Sequence, residues 1–187
     1  MKLFGPMIRG EKTIGIIPVG TVPNLVLEIV ASNIDIHLSL PTEILSMLAP
    51  PAAAFDEGRQ QYDAGKVLQA MSSLGLERHK KVVAICNQDL FVPIVTHVYG
   101  EAQQNGKYAI VSLFRLHRQS ERSKQSSLLY ERTVKITLHE IGHLFNLFHC
   151  EDRRCLMHFS STLEDLDATP MFFCNYCDHF FKVAAVR

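Results

Sequence analysis

The sequence predicts an α/β or α+β domain, on the basis of its composition and of two alternating kinds of segment. Four or five short apolar segments suited to strands alternate with two or three segments of helical periodicity. The chain has 187 residues, of which 47% are hydrophobic and 20% charged, and this composition is typical of a globular protein with a sizeable core. We therefore expect one domain over residues 1–187.

In the first third of the chain, the pattern predicts strands at residues 13–19 and 34–38 and a helix at residues 24–31. The first strand is rich in β-branched residues, and the second alternates strictly between apolar and polar residues. The helix follows Pro23 and has apolar residues on one face. Residues 41–56 are rich in proline and alanine, and they predict a loop with a short helical turn.

The middle of the chain predicts one helix and three strands. Residues 59–74 have helical periodicity. The apolar residues 81–86 suit a buried central strand, in which Cys86 is interpreted as a core thiol. Residues 94–99 predict a short strand and residues 108–116 a longer one.

Residues 128–145 predict the longest helix, with Ser127 as its N-cap. An apolar stripe marks the face that this helix buries, and it comprises Val134, Leu138, Ile141 and Phe145. The polar residues 115–124 predict a solvated loop rather than a nucleic-acid patch. Residues 176–185 predict a C-terminal helix.

The charge and hydropathy of the chain argue against several classes of partner. Nineteen basic and nineteen acidic residues give a formal net charge of zero, so nothing electrostatic favours nucleic acid or an anionic membrane. No run of about 18 apolar residues predicts a transmembrane helix, and residues 1–6 lack the apolar core of a signal peptide. We expect a cytoplasmic protein without a nucleic-acid or membrane partner.

Residues 139–149 have the form H-E-x-x-H-x-x-N-x-x-H and predict a catalytic zinc site. Two histidines four apart on a helix project from the same face, so His139 and His143 can reach one metal ion. His149 can supply a third ligand if the chain turns back after the helix. Three protein ligands leave one position of a tetrahedral zinc open for water, and Glu140 stands where it can take a proton from that water.

Asn146 stands where the common pattern has glycine, at the point where the chain must turn so that His149 reaches the metal. After glycine, asparagine is the residue type that best tolerates the left-handed conformation of such a turn, at a cost of about 1 kcal/mol.

Four histidines outside the motif are interpreted as ordinary surface or core residues, namely His37, His79, His97 and His117.

Four of the five cysteines lie in the last quarter of the chain and predict a second, structural zinc site. Cys150 and Cys155 form C-x4-C, and Cys174 and Cys177 form C-x2-C after an 18-residue gap. Four thiolates fill the coordination sphere of zinc, so such a site has no position for substrate and would hold residues 150–187 together. Two disulfides or a redox C-x-x-C pair are the alternatives, which a reducing compartment disfavours.

The two constellations together resemble the archaemetzincin family of zinc metalloproteases. That family carries H-E-x-x-H-x-x-G-x-x-H-C, then x4-C-x-M, and then a C-x-x-C pair further along the chain. Here the first run ends at His149-Cys150, Cys155-Leu156-Met157 follows, and sixteen residues separate Met157 from Cys174. Three other segments also resemble parts of that family, namely residues 59–62, 99–102 and 112–115.

The resemblance implies a compact metzincin-like domain, in which a mixed twisted sheet packs on helices and lies over the active-site helix. It implies an edge strand along the cleft, for which residues 108–116 are our candidate and to which an extended peptide can add by main-chain hydrogen bonds. It also implies that Met157 packs beneath the catalytic zinc, that the chain binds two zinc ions, and that peptides are the substrates. For some members an aminopeptidase-like preference is expected.

We predict a zinc-dependent metallopeptidase, in which zinc activates water and Glu140 accepts a proton from it as general base. A second hypothesis makes the protein a zinc-stabilised binding or regulatory module with an idle or weakly metallated histidine site. A third keeps the enzyme but changes the substrate to another amide or an ester. A glutamate beside the first histidine has no role in a purely structural site, so we favour the peptidase.

Overall fold

The computed structural model describes residues 13–116 and 125–186, which form eight strands and five α-helices with one 3-10 turn. The strands are β1 Ile14–Val19, β2 Thr42–Ile44, β3 Phe55–Asp56, β4 Gln61–Asp63, β5 Lys81–Cys86, β6 Leu90–Phe91, β7 Gly100–Ala102 and β8 Tyr108–Ser112. The helices are α1 Asn24–Leu38, α2 Ala64–Met71, α3 Gln125–Leu144, α4 Leu163–Ala168 and α5 Asn175–Val186, and the 3-10 turn is Ala52–Ala54. Among these helices, none combines the length and apolar character needed to cross a bilayer.

A five-stranded mixed sheet forms the centre of the fold, in the order β2-β1-β5-β8-β7. The first four strands run parallel, and β7 pairs antiparallel with β8 at one edge. A smaller three-stranded sheet has the order β3-β4-β6. This mixed α/β architecture confirms the predicted fold class.

The large sheet is buried on both faces, with α1 and α3 on one face and α2 on the other. Along β5, Val83 and Ile85 face α1 and α3, whereas Val82, Ala84 and Cys86 face α2, as the two-residue period of a strand requires. The prediction of a buried central strand at residues 81–86 is confirmed. Burial raises the pKa of the Cys86 thiol to about 11, which suits an inert core residue.

The strand predicted at residues 34–38 is wrong, because these residues continue α1. Ile34 and Leu38 are buried four residues apart, whereas Ile36 between them is 67% exposed. A spacing of four continues the buried face of the helix, and the short alternation that suggested a strand is compatible with it. The helix ends at Ser39, whose φ of 53° is left-handed.

Three other predicted segments differ from the structure. Of residues 59–74, only Ala64–Met71 are helical, because the Asp63 side chain accepts a hydrogen bond from the Lys66 amide and caps the helix there. Residues 94–99 form turns instead of a strand, apart from one bridge between Val98 and Leu90. The loop predicted at 41–56 contains the 3-10 turn but also β2 and β3.

The prediction that residues 108–116 form an edge strand is also wrong, since β8 lies inside the sheet between β5 and β7. The strand at this edge of the sheet is β7, whose three residues are too few to show an alternating pattern. The predicted polar loop at 115–124 lies outside the described residues from position 117 onwards. The predicted N-cap, Ser127, lies within α3.

A buried cation holds α4 against α3. The Arg132 side chain is 2% exposed, and its Nε and Nη2 donate to the two carboxylate oxygens of Asp167 at 2.7 Å each. Its Nη1 donates to the Leu116 carbonyl at 2.7 Å. One turn further along α3, Lys135 donates to the carbonyls of Leu166 and Asp167, at 3.1 and 2.9 Å. The segment after the histidine motif is therefore attached to α3 by buried charge-assisted hydrogen bonds.

Replacing Asp167 with alanine should lower the free energy of unfolding by about 3 kcal/mol, because it removes two charge-assisted hydrogen bonds from a buried guanidinium. Urea denaturation at a fixed zinc concentration measures this change.

The control is Lys182→Ala, which removes an exposed pair between Lys182 and Asp178 four residues apart on α5. That change should cost less than about 0.5 kcal/mol. If the two variants unfold at the same urea concentration, the Arg132 pair does not hold α4 on the domain.

Candidate metal centres

The end of α3 and the turn after it bring three histidines together. His139 and His143 lie on the last two turns of the helix, and His149 follows five residues after its last residue, Leu144. One side-chain nitrogen from each of the three lies within 4.8 Å of the other two. The predicted residues thus meet in one cluster.

Backbone carbonyls fix the orientation of two of these rings. His139 donates from Nδ1 to the Leu156 carbonyl, and His143 donates from Nδ1 to the Leu147 carbonyl, each at 2.8 Å. The two Nε2 atoms then face each other at 3.1 Å. This is the arrangement by which proteins usually orient metal-binding histidines.

The charge state of the rings fits a metal ion. Burial, with a contribution from the neighbouring His143, lowers the pKa of His139 to about 3, and burial also lowers the pKa values of His143 and His149. Neutral rings that donate from Nδ1 present lone pairs at Nε2, and two facing lone pairs repel unless they share a cation. Two nitrogens bound to one tetrahedral zinc lie about 3.3 Å apart, close to the observed separation.

The turn that carries the chain to His149 is left-handed. Asn146 has a φ of 68°, the conformation expected of the residue at this position. The Asn146 amide donates to the His143 carbonyl at 3.0 Å, and the Leu147 amide donates to the Gly142 carbonyl at 2.9 Å. These bonds satisfy the last carbonyls of the helix and reverse the chain direction.

Glu140 is buried beside the histidines, with 7% of its surface exposed. Burial, followed by the negative charge of Glu101 on β7, raises the pKa of Glu140 well above its ordinary value. The carboxylate lies against the backbone of β7, since a Cβ at Gly100 would stand 2.7 Å from its Oε1 atom. Only glycine leaves room for the carboxylate at this point of the edge strand.

A cleft of about 620 Å³ runs past the histidine cluster and Glu140. One wall is β7 with the preceding residues 92–99, and the opposite wall comes from residues 156–169. Large apolar side chains are exposed on both sides, with Ile94 at 91% and Phe159 at 60%. The cleft therefore offers a mainly apolar surface beside a cluster of polar groups.

The segment 59–62 holds the first wall in place. Arg59 stacks on the Phe91 ring at 4.4 Å and donates to the Val95 carbonyl at 3.3 Å. The side-chain Nε2 of Gln61 donates to the Asp89 carboxylate and to the Thr96 carbonyl, each at 3.0 Å. These contacts explain why this segment, singled out in the sequence only by its family resemblance, lies beside the cleft.

The four clustered cysteines form the second centre. One sulfur from each of Cys150, Cys155, Cys174 and Cys177 lies within 4.8 Å of the others, and all are free thiols. The sulfurs of Cys150 and Cys174 are 3.9 Å apart. Two sulfurs bound to one tetrahedral zinc lie about 3.8 Å apart, so the donor set fits this metal. Burial raises the pKa of Cys155 to about 11.

Residues 155–157 connect the two centres. Cys155 belongs to the sulfur cluster, the next residue, Leu156, accepts the hydrogen bond from His139, and Met157 is fully buried against α3. The Met157 carbonyl accepts from the Cys150 amide at 2.8 Å. A Cβ on Gly142 would lie 2.4 Å from the Met157 sulfur, so this side chain fills the space beneath the turn of α3 that carries His143.

Three of the four histidines that the sequence analysis set aside lie apart from the cluster. His37 is exposed on α1, and His79 is buried with its Nε2 3.0 Å from Glu43. His97 lines the cleft without joining the three-histidine group, and His117 lies outside the described residues. Sequence analysis did not identify Glu101 as a site residue. The pairing of β7 with β8 places Glu101 beside the site, and the three residues of β7 are too few to predict this pairing.

Comparison with protein-family models shows that the peptidase family M54 model matches residues 22–183. Archaemetzincin from Thermococcus kodakarensis is 32% identical over 174 residues, which cover 89% of this chain and 94% of that protein.

Solved structures agree with this similarity. The crystal structure of archaemetzincin from Methanopyrus kandleri superposes with a TM-score of 0.85 at 28% identity, over 97% of this chain and 99% of that one. A zinc-dependent peptidase from Methanocorpusculum labreanum superposes with a TM-score of 0.79 at 30% identity, over 90% of this chain and 99% of that one.

Replacing Gly142 with alanine should destabilise the protein by about 1–2 kcal/mol. The new methyl group collides with the buried Met157 sulfur, and this overpacking exceeds the gain of about 1 kcal/mol in helix propensity. Thermal or urea unfolding measures the change.

Gly65→Ala is the control, because Gly65 is exposed in the first turn of α2 and its new methyl group would meet only the Asp63 Oδ1 atom, at 3.3 Å, so the change should be close to neutral. In a Met157→Ala background the Gly142→Ala change should no longer destabilise. An undiminished effect in that background would show that the collision is not with Met157.

Proposed function

Since this chain belongs to peptidase family M54 and to the archaemetzincins, which are zinc metallopeptidases, we propose that it hydrolyses peptide bonds with Glu140 as the general base. The observation that carries this proposal is the convergence of two neutral histidine nitrogens, 3.1 Å apart, beside a buried carboxyl group in an open cleft. A purely structural metal site has no use for such a carboxyl.

In this proposal His139, His143 and His149 hold a catalytic zinc ion, and Cys150, Cys155, Cys174 and Cys177 hold a structural one, which makes two per chain. When bound, the catalytic zinc supplies Lewis acidity, which lowers the pKa of the attacking water towards about 7 and polarises the substrate carbonyl. The facing nitrogens and the tetrahedral spacing of the sulfurs support these assignments.

Glu140 is suited to move a proton in both directions. Burial, together with the charge of Glu101, raises the pKa of this carboxyl, so it gains a proton more readily than an ordinary glutamate. No hydrogen bond ties its carboxylate to the part of the chain that the structure describes, which leaves its oxygens available to the cleft. We propose that Glu140 accepts the proton of the attacking water and gives it to the leaving amine.

The substrate we propose is an extended peptide that lies along β7. This strand ends the large sheet, and one side of its backbone faces no other described strand. A peptide can therefore pair with it by main-chain hydrogen bonds, as in other cases of strand addition. The exposed Ile94 and Phe159 on opposite walls favour apolar side chains near the scissile bond.

An aminopeptidase-like preference has specific support from Glu101. Glu101 lines the cleft, burial raises the pKa of its carboxyl group, and no ion pair or hydrogen bond engages this carboxyl group among the described residues. A half-buried carboxylate without a partner is costly, and a substrate ammonium group would compensate it. We therefore propose that Glu101 binds the free amino group of a short peptide.

The competing hypothesis, a binding or regulatory module with an idle histidine site, predicts one firmly bound zinc per chain instead of two. An amide or ester other than a peptide is a third candidate substrate, and no feature of the cleft favours it over a peptide. The cytoplasmic location and the absence of nucleic-acid and membrane partners stay predictions.

The variant Glu140→Gln should retain two zinc ions per chain and lose peptide hydrolysis by about 10²–10⁴-fold, because glutamine keeps the shape of glutamate but cannot accept a proton. Elemental analysis of protein purified without chelator gives the metal content, and cleavage of a short apolar peptide gives the rate.

His143→Ala is the matched variant for the metal, and it should carry one zinc per chain and no activity. One zinc in the wild type and in His143→Ala alike would support the idle-site hypothesis. Full activity of Glu140→Gln with two zinc ions bound would refute the assignment of the general base.

The variant Glu101→Gln should lower kcat/KM about 10–100-fold for a peptide with a free amino terminus, since it removes a charge-assisted hydrogen bond. The same peptide with an acetylated amino terminus should be affected much less. The ratio of the two rates is the measured quantity.

Glu28→Gln, at an exposed position on α1, provides the control and should leave both rates unchanged. If Glu101→Gln slows both peptides equally, Glu101 acts through Glu140 and does not bind the amino group.

A further inference from the structure

The turn between β7 and β8 contacts the end of the helix that carries the histidines. We infer that Gln104, in this turn, is a positioning residue for the histidine cluster and acts through the Leu147 carbonyl and the Asn146 side chain. The inference rests on the proposed function only in taking the cluster as a zinc site, because it concerns how firmly the metal is held.

The Gln104 side chain makes two hydrogen bonds to the turn after α3. Its Nε2 donates to the Leu147 carbonyl at 3.1 Å and to the Asn146 Oδ1 at 3.3 Å. The Leu147 carbonyl is also the acceptor of the His143 Nδ1 bond, at 2.8 Å. Gln104 and His143 therefore share one acceptor, whose two lone pairs accommodate both donors.

The position of this carbonyl matters for two ligands. It keeps the Nδ1 proton of His143 away from the metal side, so that Nε2 faces its counterpart on His139. Leu147 also lies two residues before His149, so the same peptide sets the point from which His149 approaches. A donor that anchors the Leu147 carbonyl thus restrains His143 and His149 together.

The contact also accounts for asparagine at position 146. The φ of 68° there favours glycine, yet glycine has no side chain to accept the Gln104 bond. Asparagine tolerates the left-handed conformation and offers Oδ1 to Gln104. The residue that departs from the common zinc-protease pattern is therefore paired with Gln104 across the structure.

The backbone of the same turn is anchored independently of this side chain. The Asn105 amide donates to the His143 carbonyl at 2.9 Å, and the Gly106 amide donates to the Gln103 carbonyl at 2.7 Å. A change of the Gln104 side chain leaves both bonds intact. Substitutions at position 104 should consequently alter the turn after α3 without unfolding the hairpin.

The test is the rate at which zinc leaves the holoprotein to a chelator, in the absence of substrate. Two release phases are expected, and the phase missing from His143→Ala belongs to the histidine site. In Gln104→Ala this phase should be about 10-fold faster, the lower end of the loss in metal affinity that follows removal of a direct partner, because His143 keeps its own bond to the Leu147 carbonyl. The cysteine-site phase should keep its wild-type rate.

The isosteric variant Gln104→Glu separates hydrogen bonding from shape. A carboxylate has the size of the amide but cannot donate, so this variant should release histidine-site zinc at least as fast as Gln104→Ala. Gln69→Ala, at an exposed position on α2, is the control and should match the wild type. In an Asn146→Gly background, Gln104→Ala should have a smaller effect, because one of its two acceptors is already gone.

Three outcomes would overturn the inference: release from Gln104→Ala at the wild-type rate, equal acceleration of both phases, or wild-type behaviour of Gln104→Glu. An undiminished effect in the Asn146→Gly background would remove Asn146 from the mechanism. Zinc release needs no substrate, so a positive result stands even if no peptide is cleaved, and the failure of one proposal does not imply that of the other.

Discussion

The hydrogen bond from His139 to the Leu156 carbonyl is the contact on which the geometry of both centres depends. Leu156 stands between a cysteine of the sulfur cluster and the methionine packed beneath α3. The position of its carbonyl is therefore fixed from three sides: by the sulfur cluster at Cys155, by the core at Met157 and by the Leu156 amide, which donates to the Phe172 carbonyl at 2.8 Å. A histidine held in this way needs little reorganisation to accept a metal ion.

The edge strand β7 has small residues where it packs against the buried Glu140 carboxyl group. β7 crosses over α3 where Glu140 lies, and the two residues of β7 that face the helix, Gly100 and Ala102, are the smallest available. The intervening Glu101 pairs with Ile110 and influences Glu140 through its charge. The strand β7, the Glu140 carboxyl and the helix α3 thus form one packed unit, in which a single methyl group added at Gly100 would displace the carboxylate.

Sequence patterns predicted the longer helices and strands, which can be recognised from the residues of a single segment. The helix of the histidine motif was expected from its helical periodicity, and strands β1 and β5 were expected from β-branched and apolar residues over six or more positions. Residues 34–38 were misassigned because five residues with three apolar positions fit a period of two as well as a helical face. β2 and β7 have three residues each, which is too few for any period. The order of β7 and β8, and with it the contacts of Glu101 and Gln104, is set by pairing between distant segments.

The shortness of β7 has a consequence for the solubility of the protein. A peptidase that binds extended chains along a sheet edge must leave the hydrogen-bonding groups of that edge open, and open edges are sites where folded molecules join into larger aggregates. Here the edge is three residues long and carries a carboxylate at its centre. A flexible peptide can align with so short an edge beside the cleft, whereas a second folded copy would gain few bonds and would bring a like charge opposite Glu101. If β7 binds substrate as proposed, its shortness and its charge leave the edge open to a peptide while they oppose pairing between copies of the protein.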